Sequence, residues 1–410
     1  MMRCPKLRLI DAFPVEISGE EYICLQDPHR YLEHPILVSH ETFFVLQFFD
    51  GQHTVDDARQ AFARRFGAEL DAEQIEQIAM QLDDVKLLDS PAFSAYVHTL
   101  RADFGLLTVR PSSHQGAAYP DTPEALTQQL ERYFIHAKGP GRLPSSNRQR
   151  ASIQAIMAPH IDFEAGGPTF AWAYDALSVS EADLFVILGT SHVGMQNFFA
   201  LTKKGFETPF GTLPTDRNFV EELAARLPYN PFEDELIHRA EHSIEFQVVF
   251  LQYVFQQRPI TIVPILCGGG MAEAMYRQQP LADVPQLEES MTALHQVLQL
   301  YPNACLVASV DFSHIGVRYG HQAPPAPKTL AKVAELDRAL LATMETAAHQ
   351  AFAAQLYSTG NVTQICGIVP MYTMLRMLEG AQGKLLHYDC VELSAGSYVS
   401  FASMVWTRID

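Results

Sequence analysis

The chain has 410 residues, 48% of them hydrophobic, enough for two or three domains with a sizeable buried core. A formal charge of −18 and a pI near 5.3 disfavour broad binding to nucleic acid or to an anionic membrane. No apolar signal core opens the sequence, and its longest greasy run, FQVVFLQYVF, is too short to span a bilayer, which predicts a cytoplasmic protein. The six scattered cysteines form no CxxC pair, which argues against a disulfide scaffold or a zinc knuckle.

Residues 1–95 read as a small helical domain with a β-wing, a winged-helix-like arrangement. Thr54 can cap a helix carrying Val55, Ala58, Ala61, Phe62 and Phe66 on one side, and Gly67 ends it. Asp71 can cap the next, with Ile75, Ile78, Ala79, Leu82 and Val85 as its core face. Residues 21–90 hold 14 acidic and 5 basic side chains, a net of −9, which favours a peptide or protein partner over DNA. Residues 96–150 read as a connecting segment: a strand-like FGLLTVR, an amphipathic helix around 123–135 and an exposed loop, KGPGRLPSSNRQR.

From 151 to 410 strand and helix patterns alternate, the signature of an α/β domain with a central mixed sheet flanked by helices. The predicted strands are 153–158, 183–188, 199–202, 261–267, 304–310, 385–391 and 397–405. The predicted helices are 169–177, 216–226, 243–256, 286–299, 330–346, 348–357 and 370–379.

Three apolar runs stop at a histidine: IQAIMAPH at His160, DLFVILGTSH at His192 and CLVASVDFSH at His314. In an open α/β sheet the ligand crevice lies beyond the carboxyl ends of the strands, so imidazoles delivered there can meet around one ion or substrate. A lone histidine that caps a helix or bonds a backbone carbonyl is the bland alternative, and two in the same topological position weaken it. Asp311 and His314, in SVDFSH, suit an acid/base pair, although Asp311 can equally cap a helix from Ser313. HRAEHSIEFQ contains H-x-x-E-H, the zinc-hydrolase pattern, at His238, Glu241 and His242. Pro231 and the late onset of apolar periodicity at Ile244 instead place His238 in a solvated loop, with His242 and Glu245 entering the crevice from a helix N-terminus. Cys366, in NVTQICGIVPMY, precedes a predicted helix N-terminus that lowers a thiol's pKa; burial as an inert thiol is the alternative. GFETPFGTLPTD has the content of a loop rimming the pocket, and the GGG at 268–270 lacks a phosphate-loop lysine.

Taken together, PSSHQGAAYP, APH, LGTSH, TPFGTLPTD, EHSIEFQ, SVDFSH, ICG and SYVSFA resemble the Memo family, the Memo-like component of the Amme-Memo-radical SAM system. That resemblance implies a fold similar to class III extradiol dioxygenases, with His160, His192 and Cys366 as metal ligands. It implies His242, Asp311 and His314 as catalytic or polar partners around the pocket, and His114 at its rim. Two imidazoles and a thiolate favour copper(I), zinc or iron(II) over magnesium or calcium, and the dioxygenase-like fold that the resemblance implies puts iron first and copper second. Relatives commonly read ICGRHP where this chain has Cys366, Gly367, Ile368, Val369 and Pro370, and a second histidine after LGTS is also absent. The first 95 residues resemble PqqD-like peptide-recognition domains in length and pattern. The implied functions are a metal-dependent redox enzyme acting with radical SAM and Amme-type partners, or a peptide- or metal-binding adaptor without turnover.

Overall fold

The computed structural model describes residues 2–32, 34–145, 148–256, 258–268, 270–378, 380–394 and 396–407, and it contains two compact units, Met1–Leu106 and Leu107–Asp410. Gly269 of the GGG stretch and Glu379, the last residue of the final predicted helix, lie outside the described residues.

In the first unit β1 (Asp11–Ile17), β2 (Glu20–Gln26) and β3 (Ile36–Val38) form an antiparallel sheet. Ser18 and Gly19 make its first turn at φ 56° and 84°, the left-handed pair that matches strand twist in a two-residue hairpin. Four helices follow: α1 (His40–Leu46), α2 (Val55–Phe66), α3 (Ala72–Asp84) and α4 (Pro91–Leu106). Thr54 caps α2 in a box with Asp57, and Gly67 closes it at φ 67°, as the sequence predicts. The segment FGLLTVR divides differently from its strand-like reading: Phe104 to Leu106 end α4, and only Val109 and Arg110 are extended. Leu25, Val45, Phe49, Ala58, Ile75 and Leu87 are buried in this unit's own core.

The second unit begins with β4 (Val109–Arg110), α5 (Pro123–Ile135), β5 (Ile153–Ala158), α6 (Phe163–Leu177) and β6 (Leu184–Thr190). Next come β7 (Phe199–Leu201), β8 (Gly205–Thr208), β9 (Gly211–Leu213), α7 (Arg217–Ala224), α8 (His242–Phe255) and β10 (Thr261–Cys267). The chain continues through α9 (Met271–Tyr276), α10 (Leu287–Leu298), β11 (Cys305–Ser309), β12 (His314–Gly316), α11 (Pro327–Glu345), α12 (His349–Thr359) and α13 (Ile368–Met377). It ends in the hairpin β13 (Gln382–Ser394) and β14 (Ser397–Thr407). The main sheet has the order β12-β14-β5-β11-β6-β10-β7, with β13 paired to β14. Its four central strands, β5, β11, β6 and β10, are parallel; β14 and β7 run antiparallel to them at the flanks, and β12 pairs antiparallel with β14. The central strands read as near-continuous apolar runs because helices bury both faces. The expected mixed α/β sheet flanked by helices is thus present.

Helix α6 starts six residues before its expected beginning at 169. Pro168 lacks only the bond to the carbonyl of Glu164 in the second turn, and Gly167 lets α6 lie against Tyr133, where a Cβ would come within 2.5 Å of the ring. The TPFGTLPTD stretch, expected as a loop, contributes to the hairpin β8–β9.

Candidate functional site

The carboxyl ends of β5, β11 and β6 are neighbours, and they deliver His160, Asp311 and His192 to one crevice. His160 is buried; its Nδ1–H donates to the Ser309 carbonyl (3.0 Å) and its backbone N–H to Asp311 Oδ1 (3.1 Å). A carbonyl only accepts, so the proton sits on Nδ1 and Nε2 keeps a free lone pair. That atom lies 3.3 Å from Cys366 Sγ and 3.5 Å from Asp311 Oδ2. His192 stands at the exposed mouth, its Nδ1 3.1 Å from each Glu241 carboxylate oxygen and its backbone N–H donating to Glu241 Oε2 (3.0 Å).

Glu241 caps α8, accepts the Ser243 N–H (3.0 Å) and lies 3.3 Å from His242 Nδ1, so a single carboxylate orients two imidazoles. His242 opens α8, stacks on His192 (4.7 Å between centroids, 20°) and faces His160 edge-on at 5.5 Å. One ligand atom from each of His160, His192 and His242 lies within 4.8 Å of the others. This brings His242 closer to the ion-binding position than its role as a polar partner required.

Small residues allow this approach. A Cβ at Gly189, in LGTSH, would lie 2.6 Å from Ile244 and 2.8 Å from Ser243 Oγ, so only glycine lets the start of α8 reach β6. Ser243 Oγ then donates to the Thr190 carbonyl (2.8 Å), and Gln247 Nε2 to the Pro159 carbonyl (2.7 Å) and Ser309 Oγ (2.8 Å). Gly367 does the same for Cys366, since a Cβ there would meet Val310 Cβ at 2.4 Å. Ile368 and Val369 belong to the buried core of α13, so these departures from ICGRHP are absorbed by packing.

The electrostatics follow from crowding. Burial alone would push the Cys366 thiol up, but the His160 imidazole and hydrogen bonds from His160 and His192 outweigh it and bring it down to about 7. Burial pushes Asp311 up to about 6 against the pull of His314. His242 is held well below the usual imidazole range by desolvation and by its neighbouring imidazoles, despite Glu241. At His192 desolvation opposes the cation, yet Glu241 prevails and the ring is held well above its ordinary value. Glu241, disfavoured by burial as an anion, is correspondingly held well below its own by His192 and His242.

Several residues sit differently from their sequence reading. No helix starts at Ser313: β12 follows, and Asp311 engages His160 rather than capping. His314 Nδ1 donates to the Phe312 carbonyl (2.9 Å) and its ring meets Tyr319 edge-on, with Asp311 acting on it through space. His238 is buried, in a 3-10 turn (Glu235–Arg239) with its Nε2 3.0 Å from the Ala200 carbonyl, so the solvated loop expected there is wrong. The apolar surroundings of Phe206 and β7 explain why a histidine with one carbonyl partner settles inside. It does not share a helix face with His242, so H-x-x-E-H is not a zinc-hydrolase helix here. Glu245 points away from the open crevice: it forms a buried ion pair with Arg110 and accepts from Ser112 Oγ (2.8 Å), the His114 backbone N–H (3.0 Å) and Tyr119 OH (2.5 Å). His114, expected at the rim, is buried beside His242 with Nδ1 3.0 Å from Glu245. Sequence reasoning missed Arg110; its signal was an arginine at a strand end directly before PSSHQG.

Comparison with known proteins follows the same residues. A family model described as Memo-like protein matches residues 110–405. A MEMO1 family protein of Aquifex aeolicus is 28% identical over 98% of this chain and 99% of its own length. A MEMO1 family protein of Methanopyrus kandleri is 29% identical over 72% of this chain and 97% of its own length. A memo-1 homolog of Caenorhabditis elegans is 29% identical over 72% of this chain and 82% of its own. Among the described residues no helix is long and apolar enough to cross a membrane.

Proposed function

Given that the chain belongs to the Memo family, we propose that its second unit binds one redox-active metal ion through His160, His192 and Cys366, with His242 as a further donor. The observation that carries this reading is the convergence of His160 Nε2 and the His192 ring on Cys366 Sγ, each imidazole having its Nδ1 committed to a carbonyl or carboxylate. Imidazole and thiolate donors suit iron(II), copper or zinc and are poor partners for magnesium or calcium; the dioxygenase-like fold makes iron the first choice. The ion would supply Lewis acidity and electron transfer. The protein's own part is to orient: Glu241 fixes His192 and His242, and Ser309 and Asp311 fix His160. Asp311, buried with its carboxyl up at about 6, is the group placed to hold a proton beside the crevice, with His314 behind it.

In this reading the chain is a cytoplasmic oxidoreductase of the dioxygenase-like kind, acting with radical SAM and Amme-type proteins, and its PqqD-like first unit presents a peptide. The competing reading, a peptide- or metal-binding adaptor, differs only in lacking turnover. Anaerobic purification followed by metal analysis and oxygen-consumption assays separates the two. Cys366→Ala should lose most bound iron or copper while its circular dichroism stays unchanged. Unchanged metal stoichiometry in that variant would remove the triad.

A further inference from the structure

A groove lies in the first unit, and nothing in the metal reading uses it. An open groove of about 570 Å³ runs along α4 and the segment preceding β1. This volume is within the range of small-molecule sites, which are mostly apolar with a few placed polar groups. Its base is built around Arg8, whose guanidinium sits 4.2 Å over the Phe93 ring and 5.3 Å from that of Tyr31. Arg8 is fixed from behind by Asp27 Oδ2 (2.8 Å) and the Lys86 carbonyl (2.6 Å), and Asp27 itself accepts the backbone N–H groups of His29 and Tyr31 at 3.0 Å. Arg8 is therefore a wall of the groove with its charge already matched.

The open cation is on the helix. Ser94, Val97, His98 and Arg101 recur at i, i+3, i+4 and i+7, so one face of α4 lines the groove. Arg101 and His98 are exposed and make no ion pair among the described residues. The one acidic side chain among the lining residues is Asp89, which is matched by Lys6 at 3.0 Å. Across the groove Leu9 is 74% exposed, an apolar side chain held in water. Arg101 thus stands without an ion pair beside exposed leucine and aromatic edges, in a unit with 9 basic and 18 acidic residues over 1–106.

We propose that this groove binds a small organic monoanion with an aromatic or branched apolar body, its carboxylate on Arg101 and its body against Leu9, Phe93 and Val97. Arginine offers a planar donor fork to a carboxylate, and the apolar lining rewards a hydrophobic tail. The net negative charge of the rest of the unit disfavours polyanions, so the ligand carries one charge.

The test uses the full-length protein and isothermal titration with 3-phenylpropionate and its neutral isostere 3-phenylpropanamide. The acid should bind with 1:1 stoichiometry, about tenfold more tightly than the amide, and Arg101→Glu should weaken the acid about tenfold while leaving the amide unchanged. Arg101 is exposed, so the variant keeps its fold. Binding should persist in Cys366→Ala, which separates this groove from carboxylate capture by a metal in the second unit. Equal affinity for acid and amide, an unaffected Arg101→Glu variant, loss of binding in Cys366→Ala, or no binding at millimolar acid would each overturn the proposal.

Discussion

At the scale of single residues, the 3.3 Å contact between Cys366 Sγ and His160 Nε2 ties the thiol's proton to the imidazole beside it. In the metal-free protein the thiolate absorbance in the far ultraviolet should therefore half-develop close to pH 7, below the ordinary thiol range. His160→Ala removes the imidazole and hydrogen bond that oppose burial, so the midpoint should move up by about 1 pH unit. A midpoint that stays put would mean that the thiol is governed by something other than His160. His238 makes an independent case. Its folded-state value is pushed down to about 3 by burial, whereas the unfolded imidazole titrates at its usual value near 6.5. The unfolded chain binds more protons across that window, so His238 contributes stability that is present above about pH 6.5 and lost as pH falls toward 3. His238→Ala should flatten the acid limb of the stability curve, cost about 2 kcal/mol at neutral pH through a lost buried hydrogen bond and a cavity, and retain its metal. His192→Ala should do the reverse, keeping stability and losing metal. Chemical denaturation from about pH 4 to about pH 8, together with metal analysis, would reveal an exchange of these phenotypes, which would return the site to H-x-x-E-H.

Among the elements, the crevice depends on how closely α8 and α13 approach the strand ends. Gly189→Ala would drive a methyl group into Ile244 and Ser243, displacing the turn that holds Glu241 and His242 against His192. The expected result is a loss of about 1–3 kcal/mol from overpacking, with metal affinity falling more than stability alone explains. Thermal unfolding compared with metal titration would test that separation, and full metal affinity in the Gly189→Ala variant would show that the approach is not needed. The same dependence explains which parts of the site were legible. APH, LGTSH and SVDFSH announce themselves because a buried parallel strand is a continuous apolar run with an abrupt polar end, and β5 and β10 were read to the residue. Cys366 has a weaker local signal, a thiol just before a helix N-terminus, and it took the resemblance to choose the ligand reading over an inert thiol. Asp311 stood open between cap and base because its partner, the His160 backbone, is 151 residues away. The short strands β8, β9 and β12 escaped because three- and four-residue elements carry little measurable period, and β12 exists through β14, a partner distant in sequence. His238 escaped for a related reason: proline and charges around it suggest solvent, and its burial comes from β7, far upstream.

For the whole molecule, the division at Leu106 separates one core, with Leu25, Phe49 and Leu87, from the two around the main sheet, and they share no buried residue. The family match begins at residue 110, and a Methanopyrus relative is covered over 97% of its length by 72% of this chain. Those facts place the family match, and with it the crevice, in the second unit. Charge does not distinguish them: residues 1–106 carry −9, which leaves −9 of the total −18 to the remainder. A phosphate backbone is repelled by both, since duplex binding draws on cationic contacts that release counterions. We therefore expect a fragment of residues 1–106 to fold cooperatively and to leave fluorescent random duplex DNA unbound at micromolar protein, at low as well as at physiological salt. The complementary fragment, 107–410, should retain the metal stoichiometry of the full chain, because every donor and every group that orients one lies within it. A salt-sensitive rise in DNA anisotropy with the first fragment would contradict the charge argument. Loss of metal from the second would mean that the crevice draws on the first unit, and the separation of binding from chemistry would have to be given up.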